Sequence, residues 1–178
     1  MAASGEPVAI RAYREADFHA AAALWTRINR ELAPPHLREV FEQYIATAID
    51  GELRHLEDLF SQARRNAFWV VEAGHSIVGT FGIESRGEDS TELRRMYLDR
   101  GYRSRGIAQR MLHLAEARAR ELGFSKMILS TAEVQQAAIA FYRKNGYQLV
   151  RTEVAGAMSA RTAGAGLTRF HFEKMLLA

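Results

Sequence analysis

Between Glu92 and Ala108 the chain reads Glu-Leu-Arg-Arg-Met-Tyr-Leu-Asp-Arg-Gly-Tyr-Arg-Ser-Arg-Gly-Ile-Ala. This is the pattern of a hydrophobic strand, a basic turn with glycines and the first residues of a helix. The first N–H groups of a helix have no intrahelical acceptor and lie at the positive end of its dipole. An anionic phosphate can therefore be bound at this helix start by main chain alone. Arg103 and Arg105, with Ser104 between them, add side-chain donors to the same turn, and the small Gly106 and Ala108 permit close approach. The segment reads as a pyrophosphate cradle. No Gly-Lys-Ser or Gly-Lys-Thr follows and the three spaced glycines of the dinucleotide fingerprint are missing, so neither a nucleoside triphosphate nor NAD gains support. Taken alone, the string also fits a solvated basic helix start.

Further along, Gln135-Gln-Ala-Ala138-Ile-Ala-Phe-Tyr142-Arg-Lys-Asn-Gly146-Tyr reads as a short helix closed by a glycine. Its Tyr142 carries a phenol whose unperturbed pKa is about 10, a proton donor at neutral pH, although aromatics at helical spacing also fit plain core packing. Two carboxylates are candidate bases: Glu92 heads the motif strand and Glu84 ends the strand before it. Both also fit as solvated strand-end charges. The six histidines form no His-Glu-x-x-His or other close pair, there is no Gly-x-Ser-x-Gly elbow, and the chain has no cysteine. A metal site, a serine hydrolase, a cysteine nucleophile and a disulfide framework thus lack support, and no metal is expected.

The surrounding pattern must hold these groups in place. Val8 to Ala12 alternates as a strand, and Phe18, Ala21, Trp25, Ile28 and Leu32 form one helical stripe that Pro34 and Pro35 end. Val40 to Ala48 gives a second helix, and Leu53 to Ala63 a third, with Arg64 and Arg65 near its C-terminal end. Phe68 to Glu72 and Ile77 to Ile83, turning at Gly74, predict a β-hairpin, and Ser85 to Ser90 a loop. After the motif strand come a long helix ending at Gly123, a buried strand at Met127 to Leu129, the Tyr142 helix, a strand at Tyr147 to Arg151, a Gly and Ala-rich loop and a last strand beginning at Thr168. No repeat or linker divides the chain, so residues 1–178 are one mixed α/β domain, with residues 1–6 flexible.

The composition agrees. A chain of 178 residues with 48% hydrophobic and 25% charged side chains can bury one substantial core, and a net charge of +3 is too small a surplus to call for a nucleic-acid partner. The N-terminus lacks the apolar stretch of a signal peptide and no run reaches a membrane span of roughly 18 residues, which predicts a soluble, cytoplasmic protein with no membrane partner.

Arg103-Ser-Arg-Gly106-Ile-Ala108 behind a hydrophobic strand resembles the Arg/Gln-x-x-Gly-x-Gly/Ala motif of the GCN5-related N-acetyltransferase (GNAT) superfamily. The Gln135 to Tyr147 run resembles that family's Asn-x-x-Ala-x-x-Phe-Tyr-x-x-x-Gly-Phe helix, with Gln135 where asparagine is more usual. The resemblance extends over residues 7 to 150, with a closing strand near Phe172 to Leu176. It implies an α+β fold with a central mixed, mostly antiparallel sheet, a splayed parallel strand pair and flanking helices. It further implies acetyl-CoA as acyl donor, with Met96, Tyr97 and Leu98 on the pantetheine arm, Arg103 to Gln109 on the pyrophosphate, and Gln135 and Tyr142 also at the cofactor. Leu98 would offer its N–H to the developing oxyanion. Tyr142 would be the acid that protonates the departing thiolate, and Glu92, Glu84 or a water relay the base. The reaction implied is direct acetyl transfer to a primary amine of a small molecule, peptide or protein; the alternative is a sensory module that binds an acyl-CoA without acceptor chemistry. Acceptor choice falls to residues 32 to 66, 84 to 91 and 152 to 167. Arg94-Arg95 and Arg64-Arg65, with Arg38 and Arg54, would suit an acidic acceptor, and a homodimer is compatible with the family.

Overall fold

A computed structural model describes residues 7–176; the expectation of a flexible segment at 1–6 lies outside the described residues. Seven strands form one sheet in the order β1-β2-β3-β4-β5-β7-β6: β1 (Val8–Ala12), β2 (Ala67–Ala73), β3 (Ser76–Ser85), β4 (Ser90–Leu98), β5 (Lys126–Ala132), β6 (Gln148–Val154) and β7 (Thr168–Met175). Every neighbouring pair is antiparallel except β4 with β5. This is the mixed, mostly antiparallel sheet that the motifs imply.

Helices cover both faces. α1 (Phe18–Leu32) and α2 (Arg38–Gly51) bury Trp25, Phe41, Tyr44, Ile45 and Ala48 together with Leu53, Ala163 and Leu167. α4 (Ile107–Glu121) and α5 (Gln136–Lys144) lie over the main core, where Met111, Leu112, Ala115 and Ala119 of α4 meet Phe81, Met127 and Phe172 of the sheet. α4 and α5 end alike, each on a glycine in the left-handed region, Gly123 and Gly146. After α4, Gly123 N–H donates to Arg120 C=O and Phe124 N–H to Ala119 C=O; after α5, Gly146 N–H donates to Arg143 C=O and Tyr147 N–H to Tyr142 C=O. These reciprocal bonds satisfy the last carbonyls, and the positive φ they need favours glycine.

The helix expected over Leu53 to Ala63 does not form as one piece. It is a 3₁₀ turn at Leu53–His55, a single α turn α3 (Leu56–Leu59) and another 3₁₀ turn at Gln62–Arg64. Asn66 pulls the chain away, donating from Nδ2 to Leu59 C=O and accepting Ser85 N–H at 2.7 Å. Arg65, expected to serve its own helix, instead reaches the C-terminus of α4: it donates to Leu122 C=O at 2.6 Å and stacks over Phe124. Tertiary partners here override a helical pattern that is locally sound.

Candidate active site between splayed strands

β4 and β5 pair only at Ser90↔Lys126, Thr91↔Met127 and Glu92↔Ile128. Beyond Glu92 they separate, while β4 stays paired with β3 to Leu98 and β5 with β7 to Ala132. A bulge accompanies the divergence: Arg95 and Met96 together oppose Phe81, since the register passes from Gly82↔Arg94 to Thr80↔Tyr97. Bulges bend the strand that carries them. Arg95 adopts φ +51°, uncommon for a non-glycine residue, and Thr80 Oγ1 donates to its carbonyl at 2.9 Å. The wedge so opened has backbone edges with no strand between them, which an amide-bearing arm can bridge.

At the far end of β4 the chain turns into α4. Asp99 accepts Gly101 N–H at 2.8 Å and is gripped by Arg27 of α1, and Arg103 Nε donates to Leu98 C=O at 3.1 Å. The first bond of α4 runs from Arg110 N–H to Gly106 C=O, so the N–H groups of Ile107, Ala108 and Gln109 find no acceptor within the helix. Gly106 has φ +72° with open space where a Cβ would stand, and Ser104 is also left-handed. Ser104 and Arg105 are exposed, and the Arg105 guanidinium lies over Tyr102. These features fit a phosphate-bearing cofactor. Two of the sequence candidates have other attachments: Ile107 is buried in the core, and Gln109 donates to Asn145 Oδ1 at 2.6 Å, tying α4 to α5.

Gln135 caps the mouth of β5, its Oε1 accepting from Thr131 Oγ1 at 2.7 Å and from Ala132 N–H at 3.2 Å. Tyr142 is buried against Tyr147 and Phe172, and its hydroxyl makes no hydrogen bond among the described residues. Burial, with Tyr97 nearby, pushes its phenol above the usual tyrosine range, which favours the protonated form. Tyr97 itself turns to the other face, edge-on to Trp25. It lines a cleft with Asn29, Tyr44, Glu92, Gln135 and Arg161, whereas Tyr142 belongs to the core cluster under α4 and α5.

The two candidate bases differ in their surroundings. Glu84 and Glu92 sit directly opposite across β3 and β4, a like-charge pair that arginines bridge. Glu84 uses both oxygens, Oε2 accepting from Arg94, Arg86 and Arg161, and Oε1 from Arg161. Glu92 accepts from Arg86 at 2.7 Å and Arg161 at 3.1 Å through Oε2 alone, and its Oε1 has no partner among the described residues. Only Glu92 of the two lines the cleft. Deeper in, Glu52 holds Arg94 and Arg95 together. Burial opposes its charge, yet the two guanidiniums keep its carboxyl below the usual range. Arg94 and Arg95 are therefore committed to Glu52 and Glu84, and Arg54 to Asp50. The arginines that sequence reading missed are Arg161 and Arg169, which line the cleft from a Gly and Ala-rich loop and from β7. Nothing in their local pattern marks them. Among the described residues no group of three His, Asp or Glu side chains could hold a metal ion, and no helix is long and apolar enough to cross a membrane.

Comparison with known proteins agrees with this geometry: residues 20–147 match the model of the acetyltransferase (GNAT) family. The chain belongs to the GNAT family. Among curated relatives, the uncharacterized N-acetyltransferase YjgM of Escherichia coli is 33% identical over 63% of this chain and 72% of its own length. N-acetyltransferase 8 of Rattus norvegicus is 26% identical over 61% of this chain, which spans about half of that protein (51%). A GNAT acetyltransferase from Staphylococcus aureus superposes with a TM-score of 0.76 at 18% identity over 96% of this chain and 100% of its own. The paia N-acetyltransferase of Thermoplasma acidophilum, solved in complex with coenzyme A, gives 0.71 at 21% identity over 95% of this chain and 99% of its own. The structural likenesses establish the shared GNAT fold.

Proposed function

We propose that this GNAT domain transfers an acetyl group from acetyl-CoA directly to a primary amine. The observation that carries the reading is the wedge: a parallel pair that parts at Glu92, with the Arg103 to Gln109 turn at the end of one strand and the buried phenol of Tyr142 close to Tyr97 of that strand. Acetyl-CoA supplies an activated thioester. The backbone of Met96 to Leu98 would align its pantetheine arm, and the free N–H groups at the start of α4, with Arg103 and Arg105, its pyrophosphate. The amine nitrogen bonds to the acyl carbon as the carbon–sulfur bond breaks. Glu92 Oε1, directly or through one water, takes the amine proton, Tyr142 gives its proton to the sulfur, and the Leu98 N–H stabilises the negative acyl oxygen.

The test is a thiol-release assay over amines and peptides, with acetyl-CoA affinity measured separately. Tyr142→Phe should lower kcat by about 10²-fold or more, the usual scale for general acid catalysis, with acetyl-CoA affinity unchanged. Full activity in that variant would remove Tyr142 from the acid role. Acetyl-CoA binding without acceptor-dependent release across the panel would make the domain a binding module.

A further inference from the structure

The charges of the acceptor cleft are unequal. Arg86, Arg94, Arg95 and Arg161 form one connected network with Glu52, Glu84 and Glu92, four guanidiniums against three carboxylates. Beside it, Arg169 and Arg151 share Glu153, to which His171 also bonds. Each carboxylate of these two clusters already faces at least one arginine, so a polyamine would meet a surplus of its own sign there.

The network also separates the arginines that build the site from those that can meet a ligand. Arg95 has 5% of its side chain exposed, and all three of its nitrogens are engaged by Glu52, Tyr44 and Ala160 C=O. Arg94 is 7% exposed and bonded to two carboxylates. Arg161 also bonds two carboxylates, Glu84 and Glu92, but its side chain is 39% exposed, its Nε has no partner among the described residues, and it is carried by the loop between β6 and β7. Arg169 is 19% exposed, bonds Ser130 through Nη2 and reaches Glu153 only at 3.7 Å. Arg161 Nη1 lies 3.1 Å from Glu92 Oε2, so a cation and the proposed base are adjacent at the cleft wall.

We propose, resting on the acetyltransferase reading above, that the acceptor is an α-amino acid or a derivative with a free carboxylate, read by Arg161 with Arg169 in support. An amine at Glu92 Oε1 and an anion at Arg161 must stand close together on the acceptor, which is the spacing of an α-amino acid. A peptide N-terminus has an amide in place of that carboxylate, and a polyamine has no anion at all. On binding, the acceptor carboxylate replaces Glu92 as a partner of Arg161 and leaves Glu92 free to take the amine proton.

The experiment compares free L-amino acids, the corresponding amino-acid amides, spermidine and a short peptide as acceptors of the acetyl group, using wild type and Arg161→Gln. The best free amino acid should exceed its own amide in kcat/KM by at least about tenfold, the effect of losing one charge-assisted hydrogen bond. Arg161→Gln should raise KM for that amino acid by about tenfold or more, raise KM for the amide far less, and be partly restored by Arg161→Lys. Acetyl-CoA affinity of the variants should match wild type, and Tm should fall only slightly, since Arg161 also bridges Glu84 and Glu92 but is partly solvent-exposed. Equal or better use of amides, peptide or spermidine, or equal KM losses for acid and amide, overturns the inference while leaving acetyl transfer standing. Absence of acceptor-dependent thiol release with every compound overturns the acetyltransferase reading itself.

Discussion

Glu52→Gln tests the charge arrangement beneath the cleft. Glu52 accepts from Arg94 at 2.8 Å on both oxygens and from Arg95 at 3.2 and 2.9 Å, and the three side chains are 8%, 7% and 5% exposed. Removing one member of a buried ion pair costs about 3–5 kcal/mol, since its partner remains as an uncompensated charge. Two partners are affected here, but unequally. Arg94 keeps Glu84 at 2.6 Å, whereas Arg95 is left with Ala160 C=O, the Tyr44 hydroxyl and the face of Trp25. The loss should therefore fall at the lower end, about 3 kcal/mol, and mostly through Arg95. For a domain of this size, 1 kcal/mol is about 2–4 °C in Tm, so the variant should melt about 6–12 °C below wild type and unfold at correspondingly lower urea. Replacing Arg95 as well, in Glu52→Gln/Arg95→Met, should recover part of the loss, because a buried charge is then exchanged for an apolar side chain. A loss under about 1 kcal/mol for Glu52→Gln, or no recovery in the double variant, would refute Glu52 as the counter-ion that holds the Arg95 bulge.

The same carboxylate predicts the pH profile of stability. Glu52 and Asp17, the latter held chiefly by Arg11, titrate below their ordinary values of 4.5 and 3.8 in the folded chain, so the unfolded chain binds protons first. The stability they contribute is present above about pH 4.5 and is lost as pH falls through the folded values; the urea midpoint should decline there, less steeply in Glu52→Gln. Gly164→Ala should disorganise the loop that carries Arg161. Gly164 has φ +67° and an added Cβ would stand 2.5 Å from Gly156 C=O, so a loss of about 1–3 kcal/mol in urea unfolding, with a weakened KM for the acceptor, is the expected result.

The local elements were largely legible because their signals are local. Gly123 and Gly146 end α4 and α5 by bonds that span only five residues, and the β-hairpin of β2 and β3 turns at Gly74 as its spacing predicts. The Leu53 to Ala63 stretch misleads because Asn66 and Ser85 compete for its backbone from outside the pattern. Among the site residues, the Arg103 to Gln109 turn was readable as a cradle from glycine position and basic charge. Gln109 was not readable as the tie to Asn145, since a single amide serves phosphate or protein equally well.

Sequence alone thus determined the family pattern, the strand–turn–helix that opens on Gly106 and the position of Tyr142 one turn before a glycine stop, all consequences of backbone chemistry within a few residues. Tertiary structure decided the charges. Glu52 meets Arg94 across 42 residues of chain and Arg161 meets Glu92 across 69, distances over which no periodicity or propensity carries information. It also decided which carboxylate keeps a free oxygen in the cleft and which arginines remain for a ligand, because pairing of charges depends on the sheet register and the path of the loop between β6 and β7.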